Sequence, residues 1–139
     1  MLTLKLKLSS PEKSLAFENC QLVNFQASSG AMGVMAGHES FLTNNVAGKI
    51  EIFDNENKCH KFFVAAGTAW VVNDNGHSNL TIISDLFESI RDFDEENLKL
   101  LIKDLDSAIN SEPDDNKLII LKKHLQNANI KLNILMNEE

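Results

Sequence analysis

Ser28-Ser29-Gly30-Ala31-Met32-Gly33-Val34-Met35-Ala36-Gly37-His38 is the most glycine-dense stretch of the chain. It holds three glycines in eight residues, with apolar residues between them, and runs into Glu39-Ser40-Phe41-Leu42-Thr43. A phosphate cradle needs a Gly-Lys-Ser/Thr ending or a GxGxxG spacing, set between a strand and a long helix. Here the spacing is GxxGxxxG, no Gly-Lys-Ser/Thr follows, and no long helix follows. A catalytic histidine needs partners that converge on it. Glu39 and Ser40 follow His38 directly, and adjacent residues of an extended segment point to opposite faces. The stretch therefore reads as tight β-turns with a brief strand at Val34 and Met35, and His38 reads as a structural or surface residue.

The flanking sequence carries the same reading outward. Leu2, Leu4, Leu6 and Leu8 alternate with Thr3, Lys5 and Lys7, the pattern of a half-buried strand. Ser9-Ser10-Pro11-Glu12 breaks it. Further short strands are predicted at 14–17, 21–26, 41–43, 46–53, 58–65, 69–72 and 79–84. Asp54-Asn55-Glu56-Asn57 has turn composition, and Asn75-Gly76 is the strongest short hairpin signal. Gly67 allows a bulge or bend. Eight to ten short strands in about 85 residues predict an antiparallel sandwich or barrel. Trp70 and the phenylalanines at 17, 25, 41, 53, 62 and 63 read as its core.

After Asp85 the apolar period changes from two to about 3.6. Asp94 is a candidate N-cap, and Glu95 and Glu96 suit the positive end of a helix dipole. Leu98, Leu101, Ile102, Leu105 and Ile109 form one stripe of a helix over 95–109. Asn110-Ser111-Glu112-Pro113 ends it, with Ser111 and Asp114 at capping-box spacing for a second helix. That helix, about 114–136, carries Leu118, Leu121, Leu125, Ala128, Leu132 and Leu135 at alternating spacings of three and four, a coiled-coil-like seam. A short loop between two helices predicts an antiparallel hairpin. Phe87 to Asp115 holds ten acids against three bases, whereas Asn116 to Asn137 holds four lysines and no acid. Such segregation is either a solvated face on each helix with mutual attraction, or a basic, apolar-striped helix able to dock elsewhere.

Composition excludes several classes. The net charge of −7 is opposite to a nucleic-acid footprint. No apolar run approaches a membrane span, and the alternating start reads as a strand and not as a signal peptide. The expectation is a chain kept in the cytoplasm that meets a membrane only through a partner. Cys20 and Cys59 lack CxxC spacing and read as reduced thiols. His38, His60, His77 and His124 lack ligand spacing, so no metal site and no cofactor is expected. No catalytic set is visible. Residue types alone give a non-catalytic β domain with a helical hairpin, built for protein contact.

The chain resembles the epsilon subunit of bacterial F-type ATP synthases, called delta in mitochondria. The resemblance rests on Pro11-Glu12-Lys13 with Phe17; Gly30-x-x-Gly33-Val34-Met35-x-Gly37-His38 with Leu42-Thr43; Gly48-x-Ile50-x-Ile52; Val64-x-x-Gly67 with Val71; and Asn79 to Asp85, followed by the helical hairpin. It implies an N-terminal β-sandwich over 1–85 and a regulatory two-helix hairpin over 86–139. It implies a non-catalytic rotor subunit of the central stalk, bound to gamma and the c ring, in a complex that makes ATP from ADP and phosphate with a proton gradient. It further implies a place on the cytoplasmic face of the bacterial inner membrane, and a hairpin that can extend along gamma and inhibit hydrolysis. Ser29, Gly30, Met32, Gly33, Val34, Met35, Gly37 and His38 would then form the contact with the c ring and gamma. Lys117, Lys122, Lys123 and Lys131, on a basic side of the second helix, would reach the alpha and beta subunits. The other class of reading is a stand-alone β-sandwich that binds a small ligand, a carbohydrate or a protein.

The departures from the family pattern are specific. Where some relatives bind ATP through Ile/Leu-Asp-x-x-Arg-Ala, this chain has Phe93-Asp94-Glu95-Glu96-Asn97-Leu98. Asp94 remains, but Asn97 stands where a bidentate phosphate partner would be, so weak or no ATP binding is expected. The usual proline before Gly-His is Ala36, and the usual acid before the first glycine is Ser29. A c-ring contact would then rest on Met32, Val34, Met35 and backbone groups.

Overall fold

The computed structural model describes residues 2–138. Met1 and Glu139, the outer ends of the two expected domains, lie outside the described residues. The chain divides into two compact units, 1–89 and 90–139.

The first unit is built from ten strands: β1 (Thr3–Ser9), β2 (Ser14–Phe17), β3 (Cys20–Ala27), β4 (Gly30–Met35), β5 (Phe41–Asn45), β6 (Gly48–Asp54), β7 (Cys59–Val64), β8 (Gly67–Asp74), β9 (His77–Ser84) and β10 (Phe87–Ser89). Their hydrogen-bonded order is β10-β7-β6-β3-β5-β8-β9-β1-β2, with β4 added to β3. The β3–β5 link has a single register pair, Ala27 with Asn45. There the sheet curls into two layers, β4-β3-β6-β7-β10 and β5-β8-β9-β1-β2. Among the described residues every pairing is antiparallel except one. β1 runs parallel to β9 from Thr3↔His77 to Ser9↔Ile83, a long-range pairing that no local turn signal announces. β10, unexpected from the sequence, pairs with β7 and carries the first unit past Asp85 to Ser89.

The period-two alternation does what it predicts. Leu4, Leu6 and Leu8 are buried while Lys5 and Lys7 are exposed. Val23, Val34, Ile50 and Ile52 from one layer meet Leu4, Leu6, Val71, Leu80 and Ile82 from the other in one apolar cluster. Each such aliphatic side chain removed from water contributes about 1.5–3 kcal/mol. The Asn75-Gly76 turn has both residues at positive φ, +52° and +89°, as a type I′ hairpin requires. Gly67 is not a bend but the first residue of β8. A Cβ there would lie 1.9 Å from the Ile83 carbonyl oxygen, so the close approach of β9 admits only glycine. Among the aromatics assigned to the core, Phe25 and Phe63 are buried, but Phe17, Phe41, Phe53, Phe62 and Trp70 are only half-buried.

The second unit follows a short 3-10 turn (Ile90–Asp92) and holds α1 (Glu95–Ser111) and α2 (Asp115–Met136). The two helices lie against each other across a three-residue loop, which makes them an antiparallel hairpin. Leu98 and Leu105 of α1 are buried, Ile102 and Ile109 half-buried, while Leu101 falls off the stripe and is exposed. On α2, Ala128 is buried and the five seam leucines are half-buried. Ser111 does not cap α2. It ends α1, with its hydroxyl on the Ser107 carbonyl at 3.0 Å. Asp114 is the cap, because its short carboxylate reaches the Asn116 N–H at 2.9 Å.

Candidate functional site

The glycine stretch becomes a β-hairpin followed by a second tight turn. β3 and β4 pair from Leu22↔Met35 to Ala27↔Gly30, leaving Ser28 and Ser29 as the two-residue tip. The tip is tied to the other layer, where Ser28 N–H donates to the Asn44 carbonyl and Val46 N–H to the Gln26 carbonyl, each at 2.9 Å. Four residues on, His38 N–H donates to the Met35 carbonyl at 3.1 Å, and Gly37 between them has a φ of +87°. That is the type II pattern, with Ala36 at the position where proline is favoured. The buried Ser78 hydroxyl accepts the Gly37 N–H at 3.0 Å, so β9 holds the turn from beneath.

These contacts sort the sequence-predicted residues. Ser29, Gly30, Gly33 and Met35 are exposed, and Met32, Gly37 and His38 are half-buried. Val34 is a correction. Its side chain is fully buried in the apolar cluster and offers nothing to a partner, because alternation along β4 turns it inward. His38 Nδ1 sits 2.8 Å from the Glu39 carbonyl, which can only accept, so Nδ1 carries the proton. The ring lies edge-on to Phe41 at 5.1 Å. It is oriented by backbone and an aromatic neighbour, not by a carboxylate. An open groove of about 310 Å³ lies on the sheet face over β3, between β4 and β6, lined by Asn24, Gln26, Ala31, Met32, Gly33, Lys49 and Glu51 among others.

A second surface was missed by the reading of Trp70 as core. Leu42 lies opposite Trp70, and Trp70 opposite Thr81, on adjacent strands β5, β8 and β9. Ala69 and Val71 face inward and are buried, so Trp70 and Val72 face outward. Leu42 is 73% exposed, Val72 52% and Ile83 47%. An outward sheet face in contact with water alone alternates toward polar residues; this one groups Leu42, Trp70, Val72 and Ile83. The signal in the sequence was the alternation Ala69-Trp70-Val71-Val72, which already separates Trp70 from its inward neighbours.

On the helices, Asp94 Oδ1 accepts the N–H groups of Glu96 (3.0 Å) and Asn97 (3.4 Å), and its Oδ2 accepts the Asn97 side-chain amide at 3.1 Å. Asp94 and Asn97, the two positions expected to carry a degenerate nucleotide motif, are thus closed on each other. Lys117, Lys122 and Lys123 are exposed and Lys131 is half-buried. At 3.6 residues per turn they do not share a side. Lys122 and Lys131 flank the seam on opposite edges, Lys117 borders it, and Lys123 lies across the helix from it. The expected basic side is therefore a distribution of charge around an apolar seam. Among the described residues, no His, Cys, Asp or Glu group could hold a metal ion, and no helix is long and apolar enough to cross a membrane.

Comparison with known proteins places this geometry. Residues 3–89 match the family "ATP synthase, Delta/Epsilon chain, beta-sandwich domain". The ATP synthase epsilon chain of Desulfosudis oleivorans is 31% identical over 91 residues, covering 66% of this chain and 65% of that one. The mitochondrial ATP synthase delta subunit of Pichia angusta is 32% identical over 101 residues, covering 71% and 61%. The matched stretch is under two thirds of each relative's length. In fold, the chain is similar to one in the mitochondrial ATP synthase of Euglena gracilis, solved as OSCP/F1/c-ring, with a TM-score of 0.78 at 22% identity over 99% of this chain and 83% of that one. A chain of the central stalk and c-ring structure from Tetrahymena thermophila matches with a TM-score of 0.57 at 12% identity over 96% of each. With its family match spanning both layers of the sandwich, the chain belongs to the ATP synthase delta/epsilon family.

Proposed function

We propose that this chain is a non-catalytic subunit of the central stalk of a proton-translocating ATP synthase, bound to gamma and to the ring of c subunits. It turns with them and takes part in passing rotation to catalytic sites carried elsewhere in the complex. The observation that carries the reading is the family match across the β unit, on a scaffold whose outward face groups Leu42, Trp70, Val72 and Ile83. Exposed apolar groups on a sheet face are the mark of a protein contact. We assign that face to gamma, and the tip and rim from Ser29 to His38 to the c ring. Uncharged Ser29 and exposed Met35 make the rim contact one of packing and backbone groups; Met adapts well to such surfaces. The chain meets the membrane through the complex, on the side where the catalytic head sits, which in a bacterium is the cytoplasmic face.

The helical unit is the regulatory part of the proposal. Opening the hairpin frees the α2 seam and brings Lys117, Lys122, Lys123 and Lys131 to acidic surfaces of alpha and beta, which restrains ATP hydrolysis. Affinity capture of the tagged chain from its own cells tests the first part. Recovery of gamma and c subunits is the expected result, and a lone monomer decides for a stand-alone binding module. Truncation after Ser89, which keeps β10 on β7, tests the second. Hydrolysis by the assembled complex should rise, and no change removes the inhibitory role.

A further inference from the structure

We propose that the free edge of β4 is a strand-addition site, which takes an extended, uncharged segment of a neighbouring chain in the assembly. The inference rests on the stalk reading above and specifies how the rim is bound. An open sheet edge is a template for pairing, and proteins blunt it with short strands, charge or proline. The other terminal strands here are blunted. β10 has three residues and carries Glu88. β2 has four residues, and flanking Glu18 makes an ion pair with Lys5 at 3.4 Å. β5 is tied at its end to β3 by the two hydrogen bonds at the hairpin tip. β4 has six residues, and among the described residues its only partner strand is β3. No Asp, Glu, Lys or Arg occurs from Asn19 to His38, and no proline either.

The geometry defines the ligand. Antiparallel pairs alternate between hydrogen-bonded and non-bonded. The two-residue tip makes Ala27–Gly30 a bonded pair, and with it Phe25–Met32 and Val23–Val34. Ala31 and Gly33 therefore turn their N–H and C=O groups away from β3, and both residues are exposed. Their small side chains leave that edge unshielded. Backbone donors and acceptors in a row recognise another extended backbone. A second copy is the disfavoured occupant, since each carries a net charge of −7.

Amide hydrogen exchange at Ala31 and Gly33, in the free subunit and in the assembled ATP synthase, tests the proposal. The expected result is exchange slowed at least tenfold on assembly, roughly the protection that a paired strand confers. Ala31→Pro removes one outward N–H and spares the β3 ladder, so it should weaken assembly about tenfold, and Ala31→Ser should not. Protected amides at Met32 and Val34 show that the proline variant has kept its hairpin. Unchanged exchange at Ala31 and Gly33 in an assembled complex overturns strand addition and leaves the stalk reading standing. Protection in the free subunit that grows with its concentration assigns the edge to a second copy and also overturns the proposal. Failure of the wild-type chain to assemble overturns the stalk reading, and strand addition with it.

Discussion

His60 Nε2 lies 2.9 Å from Asp54 Oδ2, across the turn between β6 and β7. The other carboxylate oxygen accepts the N–H groups of Glu56 and Lys58, each at 2.9 Å. The hydrogen bond from His60 is the largest cause holding the Asp54 carboxyl below its ordinary value of 3.8, followed by that from the Lys58 backbone. A carboxylate depressed in the folded state stabilises the fold above its unfolded pKa, and the contribution is lost as pH falls through the folded value. Stability should therefore be insensitive to this group between pH 5 and 7 and decline below about pH 4. Urea midpoints for the wild type and Asp54→Asn, taken at pH 7 and pH 3, check it. The variant should be less stable at pH 7 and should lose less on acidification. Parallel pH profiles for the two chains would mean that the turn does not depend on this charge.

Ala36 stands second in a type II turn closed by His38 N–H on the Met35 carbonyl. Proline fits this position, and the residue before it ends a β-strand, as proline prefers. Ala36→Pro should raise stability by about 0.4–1 kcal/mol by restricting the unfolded chain. Gly37→Ala in the same turn should cost about 1–2 kcal/mol, because φ is +87°. Thermal melts of the two variants should move in opposite directions. A lower melting temperature for Ala36→Pro would show that the proline ring does not fit at this place.

The contact between Gly67 and Ile83 predicts a larger loss. The Ile83 carbonyl occupies the space of any Cβ at residue 67, and backbone cannot rotate aside as a side chain can. Gly67→Ala should force β8 and β9 apart at their Gly67↔Ser84 end and cost roughly 3 kcal/mol, the upper end for overpacking. Equilibrium unfolding measures it. A cost below 1 kcal/mol would mean that β9 yields at this point.

Gly67 also shows where the sequence was legible and where it was not. Its importance could be seen, but its reason, the Ile83 carbonyl on β9, could not. Local pattern was sufficient for Leu4, Leu6 and Leu8, for the Asn75-Gly76 turn and for the Asp94 cap, since each depends on neighbours within a few residues. The parallel β1–β9 pair joins residues over seventy apart, and β10 is three residues long, so neither leaves a periodic trace. At the site, alternation along β4 could have placed Val34 inside and Met35 outside. Trp70 reads as core by residue type, although Ala69 and Val71 on either side already hold the inward positions. The scatter of the four α2 lysines was also available from helical geometry. Their count suggested a basic side that their spacing does not form.

The closed pair Asp94–Asn97 gives the last prediction. Both carboxylate oxygens of Asp94 are engaged, one by the first-turn N–H groups and the other by the Asn97 amide. Relatives with arginine in the matching place offer a planar, charged partner to phosphate, which an amide cannot replace. Glu95 and Glu96 add negative charge at the same helix start. A nucleotide phosphate brought here meets like charge and loses a cap without gaining an ion pair. Isothermal titration with millimolar ATP should show no saturable heat, and ATP should leave the melting temperature unchanged. Asp94→Ala should cost about 1 kcal/mol through loss of the cap, with or without ATP. Micromolar binding that Asp94→Ala abolishes would show instead that the pair opens to take a nucleotide.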